Sequence, residues 1–241
     1  MQSSLYVALS GQVALQKRLD TIANNIANMN TGGFRAEEVT FSSLLSQAGH
    51  ESTAFATAGA SYISRQPGGL SRTGDPLDIA VQGDAWFALQ TPGGVVYTRD
   101  GRLRLDDSGM LRSVNDYPIL DAGGAPIMLD PGAGEPTISQ DGMITQNGAQ
   151  IAAVGLFSID PAARLTRYDN SSVKPDIPAA PVLDLSNNGV AQGVVEGSNV
   201  NPVLEMARMI EVSRAFDASS NATQASEGSF LDAIKTLGAT A

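Results

Sequence analysis

The sequence predicts an α+β chain. Its N- and C-terminal helices pair as an α-helical coiled-coil core, and an antiparallel β-rich domain, a small barrel or sandwich, is inserted between them. Three observations lead there. An apolar seam in steps of three and four runs through residues 5–29, and a second runs through 202–237. Between them, short alternating runs are separated by Asp-Gly and Asn-Gly turns.

In the first seam, Leu5, Ala8, Gln12, Leu15, Leu19, Ile22, Ile26 and Met29 recur at a/d spacing. Asn30, Thr31, Gly32 and Gly33 then stop the helix, Gly being able to take the left-handed cap conformation. A core helix of a globular domain would show the same pattern. The last turn argues otherwise, because Asn24, Asn25 and Asn28 are poor helix formers whose side-chain amides compete with the backbone. Three within five residues point to recognition or capping, against another chain. Residues 36–73 read as an extended connector rich in Ser, Ala, Gly and Thr, with the single histidine, His50, as an exposed loop residue.

At Gly74 the pattern changes to period two. Leu77, Ile79 and Val81 lead through Gly83-Asp84 to Ala85, Phe87 and Leu89, which reads as one hairpin. Val95 and Tyr97 lead through Asp100-Gly101 to Leu103 and Leu105, which reads as a second. Further turns at Asn115-Asp116, Gly123-Gly124, Asp141-Gly142 and Asn147-Gly148 place the β-domain over 74–170. The Asp side chains are hard oxygen donors, but no EF-type loop or nonapeptide repeat is present, and turn chemistry alone places them here. Residues 171–197 form a second connector kept extended by Pro175, Pro178 and Pro181. Asn201-Pro202 then caps a helix whose seam continues through Met209, Val212, Phe216, Ser219, Thr223, Ser226, Phe230, Ala233 and Leu237. The helical core domain is thus 1–35 with 198–241. Its seam is small and polar in the middle, so the two helices alone bury little, and neighbouring subunits supply the rest.

The chemistry is sparse. Net charge is −10, which argues against nucleic acid and against anionic membrane surfaces. There is no Cys, so disulfides and thiolate catalysis are excluded. No phosphate-cradling Gly-Lys loop appears, and the carboxylates sit on turns. No enzyme, catalytic residue, metal ligand or cofactor is expected. No basic region precedes an apolar block at the start, and no apolar run approaches the ~20 residues of a membrane span. The chain is then expected to stay in the cytoplasm or to leave by a route that reads no cleavable signal, without direct membrane insertion. Two functions suit the architecture. One is a polymer subunit with head-to-tail helical contacts and the β-insert outside. The other is a β-domain that binds a ligand or carbohydrate and dimerises through its helices.

Three stretches carry a resemblance. ANNIANMNTGGFR at 23–35, TGDPLDIAVQGDAWFAL at 73–89 with YTRDGRL at 97–103, and SNVNPVLEMARMIEVSRAF at 198–216 resemble, in order, the signatures of the bacterial flagellar rod and hook protein family. Met29, Asn30 and Arg35 are mild departures from the usual pattern. The length and the GFRAEEVTF continuation are closer to its proximal-rod than to its distal-rod members. The resemblance implies a structural subunit of the basal-body rod, exported unprocessed by the flagellar type III apparatus and assembled in the periplasm with other rod proteins. It further implies that Leu15, Leu19, Ile22 and Ile26 pack against Met209, Val212 and Phe216, within the chain or across it. Asn24, Asn25 and Asn28 would hydrogen-bond to adjacent subunits. Gly33, Phe34, Pro202, Met206 and Ile210 complete the implied assembly surface.

Overall fold

A computed structural model describes residues 2–46 and 53–238; His50 lies outside them. The described residues form two helices, α1 over Gln2–Ala27 and α2 over Pro202–Gly238. With 34% of residues in strands and 26% in helices, the molecule is mostly β, and its helices form no coiled-coil core. The expected α+β fold around a helical core is therefore corrected. Among the described residues, neither of the two hydrophobic clusters contains a helical one.

The residues divide into two compact units, each discontinuous in sequence. The first draws on Met1–Ala27, Glu37–Tyr62 and Asn201–Ala241. It holds α1, α2 and the two-stranded sheet of β1 (Glu37–Ser46) and β2 (Thr53–Ile63), strands that occupy the stretch read as a connector. In α1, Gln16 donates to Asp20 one turn on (3.0 Å), an i,i+4 pair that supports the helix. Asn201 caps α2 as expected, its Oδ1 accepting the Leu204 N–H at 3.1 Å with Pro202 at the first helical position. Among the described side chains, the buried apolar residues of the helices are Ala14, Ile22 and Val212, while Leu9, Val13, Val203 and Ile210 are more than half exposed. The seam spacing is present, but its members Gln12 and Thr223 meet through a hydrogen bond (3.2 Å) where a coiled coil would place apolar knobs.

The second unit comprises Asn28–Ala36 and Ile63–Val200. Its strands are β3 (Leu70–Arg72), β4 (Ile79–Gln82), β5 (Trp86–Thr91), β6 (Gly94–Thr98), β7 (Leu103–Leu105) and β8 (Leu111–Ser113). They continue as β9 (Thr137–Ile138), β10 (Met143–Gln146), β11 (Ala149–Ala153), β12 (Leu156–Ser158) and β13 (Leu165–Arg167). The last are β14 (Ser172–Pro175), β15 (Ala180–Pro181), β16 (Gly189–Gln192) and β17 (Val194–Glu196). One six-stranded sheet runs β13-β14-β6-β5-β12-β15, beside the three-stranded β11-β10-β9 and the ladders β16-β4, β17-β3 and β7-β8. The β-region is thus a set of separate antiparallel ladders.

Strand β5 explains where the core sits. Phe87 and Leu89 point into one apolar cluster with Val96, Ile119 and Ile144. Trp86 and Ala88, on the opposite face, join Tyr97, Phe157 and Val173 in the other. The central sheet is therefore buried on both sides, which is why β5 reads as a continuous apolar run.

Strand pairing departs from the hairpins read in the sequence. β4 pairs with β16 and not with β5, while β5 pairs with β6 across the Pro92–Gly93 turn. β7 pairs with β8 across Asp107-Ser108-Gly109. Asp100-Gly101 closes no hairpin; there the Ile79 N–H donates to the Gly101 carbonyl at 2.9 Å. The Asn147-Gly148 turn does join two neighbours, β10 and β11.

Candidate functional site

Two polar constructions organise the residues singled out by the sequence, one in each unit. In the second unit, the Asn28–Ala36 segment is a strap held by backbone bonds. Gly33 N–H donates to the Glu196 carbonyl (2.8 Å), and Asn199 N–H to the Phe34 carbonyl (3.2 Å). Asn199 Oδ1 accepts the Ala36 N–H (2.7 Å), and its Nδ2 donates to the Gln66 carbonyl (2.9 Å). Gly33 has φ +65°, and a Cβ there would collide with the Asp100 backbone; one on Gly101 would collide with the Ile79 carbonyl. The strap crosses its neighbours at backbone contact distance, and only glycine permits it.

Phe34 is fully buried, with the Arg167 guanidinium 4.3 Å from its ring centre. Arg35 enters the interior beside it. Its Nη2 lies 2.6 Å from Glu196 Oε1, and Arg99 Nη1 lies 3.3 Å from Glu196 Oε2. Both guanidiniums sit over the ring of Trp86, at 5.6 and 5.4 Å. Arg99 also donates to the Gly83 carbonyl (2.7 Å), Arg35 to that of Gln66, and Gly68 N–H to Glu196 Oε1 (2.9 Å). Burial pulls Arg35 down to about 10 against the opposing attraction of Glu196, and it lowers Arg99 in the same way. An arginine guanidinium keeps its proton at neutral pH. Residue-by-residue reading passed over this cluster, although Arg35, Arg99 and Asn199 all stand inside the signature stretches. The signal was available: arginines beside the Gly32-Gly33 and Asp100-Gly101 turns of an acidic chain.

In the first unit, Asn25 is 3% exposed at the end of α1. Its Oδ1 accepts the Glu37 N–H and its Nδ2 donates to the Glu37 carbonyl, each at 2.9 Å. The same Nδ2 lies 3.4 Å from Glu205 Oε2 on α2, and Glu205 Oε1 in turn accepts from Arg208 at 2.6 Å. Glu205, itself 5% exposed, was not anticipated.

Family models match the chain in three places. Residues 5–35 match "Flagella basal body rod protein", 80–146 "Flagellar hook protein FlgE/F/G D1 domain", and 191–235 "Flagellar basal body rod FlgEFG protein C-terminal". Over 238 residues, 99% of both chains, the sequence is 52% identical to flagellar basal-body rod protein FlgF of Mesorhizobium japonicum. It is 50% identical over the same span to FlgF of Rhizobium meliloti. The chain belongs to the flagellar basal-body rod protein family. Within it the chain is most like FlgF; flagellar basal-body rod protein FlgG of Bacillus subtilis is 33% identical over 91% of this chain. This rod protein is a structural component of the flagellar basal body.

The positions implied as the rod family's assembly surface fall into three groups. Ile22 and Val212 are buried in the first unit, with Leu15, Leu19, Ile26, Met209, Phe216 and Pro202 half-buried there. Met206 and Ile210 are 48% and 56% exposed, and Asn24 is exposed as well. Asn28, Gly33 and Phe34 belong to the other unit, where Asn28 accepts from Thr31 through both carbonyl and side chain (3.1 Å each). No helix among the described residues is long and apolar enough to cross a membrane.

Proposed function

We propose that this rod protein is a structural, non-enzymatic subunit of the proximal rod. It polymerises with other rod proteins into the shaft that transmits torque to the hook. One observation carries the reading: a rod-family chain leaves Val203, Leu204, Met206 and Ile210 on α2, and Tyr6, Leu9 and Val13 on α1, uncovered. Large apolar side chains grouped on two helices mark an interaction surface. Neighbouring rod subunits cover these residues in the assembled shaft, with Leu15, Leu19, Ile22, Ile26, Met209, Val212 and Phe216 beneath them. Asn24 and Asn28 supply polar contacts to adjacent chains, and Gly33, Phe34 and Pro202 fix the segments that carry the helices. Greater identity to FlgF than to FlgG supports the proximal position. Export by the flagellar type III apparatus and assembly in the periplasm complete the reading.

The test uses residues already exposed in the lone chain. Met206→Asp and Ile210→Asp leave the monomer's helicity unchanged, abolish swimming, and stop basal bodies before the hook in electron micrographs. Normal motility with complete rods in both variants overturns the assignment. Micrographs of a deletion strain, showing where the rod stops, test the proximal position.

A further inference from the structure

The cluster around Trp86 places two cations in one buried site with one buried carboxylate, Glu196, ion-paired to both, while exposed Asp84 adds a weaker attraction to each. Arg35, Arg99 and Glu196 have side chains 1%, 3% and 1% exposed. Among the described residues, Glu196 is the carboxylate ion-paired to either arginine. Without it, two like charges would stand over one indole with only the exposed Asp84 and two backbone carbonyls to offset them, which is unfavourable. The same residue closes the backbone: its carbonyl takes the Gly33 N–H, and it pairs with Leu70 where β17 joins β3.

Glu196 also comes late in the chain. It is 97 residues beyond Arg99 and 128 beyond Gly68, and the adjacent Ala36–Asn199 bond spans 163 residues. Contacts of such separation close the longest loops and carry the largest closure entropy. The strap therefore lacks the ion-pair partner of Arg35 until Glu196 is in position, and the Glu196 carbonyl lacks the Gly33 N–H until the strap arrives.

We propose that Glu196 is a folding latch. The strap Asn28–Ala36 and strand β17 enter the second unit together, as its last step, and neither docks alone. A chain delivered N-terminus first then keeps this unit open until residue 196 is present. The latch is a property of the chain in solution and does not depend on where in the rod the protein sits.

The test is stopped-flow unfolding and refolding of the full chain, followed by the fluorescence of Trp86, the single tryptophan. A contact made after the folding barrier affects unfolding and spares refolding. Glu196→Gln is expected to raise the unfolding rate about tenfold while changing the refolding rate less than about twofold. Adding Arg99→Gln to Glu196→Gln removes the second cation and returns the unfolding rate toward that of the native chain. Should Glu196→Gln fail to fold, Glu196→Asp, which keeps the charge and shortens its reach, takes its place: it is expected to raise the unfolding rate severalfold with refolding changed less than about twofold, and no rescue by Arg99→Gln is expected from it. The proposal is overturned by refolding that slows as much as unfolding accelerates, by an unchanged unfolding rate, or by a double variant no slower to unfold than the single one.

Discussion

At Asn25 one side-chain amide takes the place of a strand neighbour. It exchanges two hydrogen bonds with Glu37, the pattern that two residues of an antiparallel pair share. Asn25→Ala leaves both Glu37 backbone groups without that partner, and a loss of about 2–3 kcal/mol is expected in urea unfolding followed by helical circular dichroism. Asn25→Asp keeps the acceptor and sets a carboxylate against Glu205, so it loses more at neutral pH and recovers part of that on acidification. The three asparagines were legible in the sequence as recognition groups. That the partner of Asn25 stands 12 residues on in the same chain was not, since composition names the amide and not its target. Asp106 offers a pH test. The Ser108 hydroxyl first, then Arg112 and the Met110 N–H, hold its carboxyl below the usual 3.8. The stability it contributes is present above about pH 4 and is lost as pH falls below it. The stability difference between wild type and Asp106→Asn in urea titrations should therefore shrink below pH 4 and stay constant from pH 5 to 7.

Among the elements, helix limits were legible and helix burial was not. The seam gave the extents of α1 and α2 within a few residues, yet a/d spacing does not say whether a stripe is covered inside the chain. Strands and most turns could also be read, while pairing could not. Period two assigns a face to each residue but no partner, and β4 finds its partner in β16, far along the sequence. Strand β5 is buried on both faces, so single truncations there reach two cores. Phe87→Ala should cost about 3–5 kcal/mol in denaturant unfolding, whereas truncating half-exposed Val95 on β6 should cost under about 1 kcal/mol.

At the scale of the molecule, the chain visits each unit more than once, and two of its three signature stretches straddle a boundary, near residues 27 and 200. This was illegible because a motif looks continuous in sequence even when its halves serve different cores. The two units also differ in what holds them. Among the described side chains, the helical unit buries few apolar ones, and the β-unit buries most of the core. Helical circular dichroism reports the first, and Trp86 fluorescence reports the second. On heating the isolated protein, the helical signal should fall at a lower temperature than the tryptophan signal. Coincident transitions would show one cooperative block instead.

The glycine crossing at positions 33 and 101 has a genetic consequence. Every glycine codon begins GG, so any single-base change that alters the residue installs a side chain, and neither position has room for even a methyl group. These two codons lack the conservative neighbours that most codons possess. In a library of random point mutants selected for swimming, they should be depleted of all substitutions, alanine included, while open glycines such as Gly69 and Gly228 tolerate change.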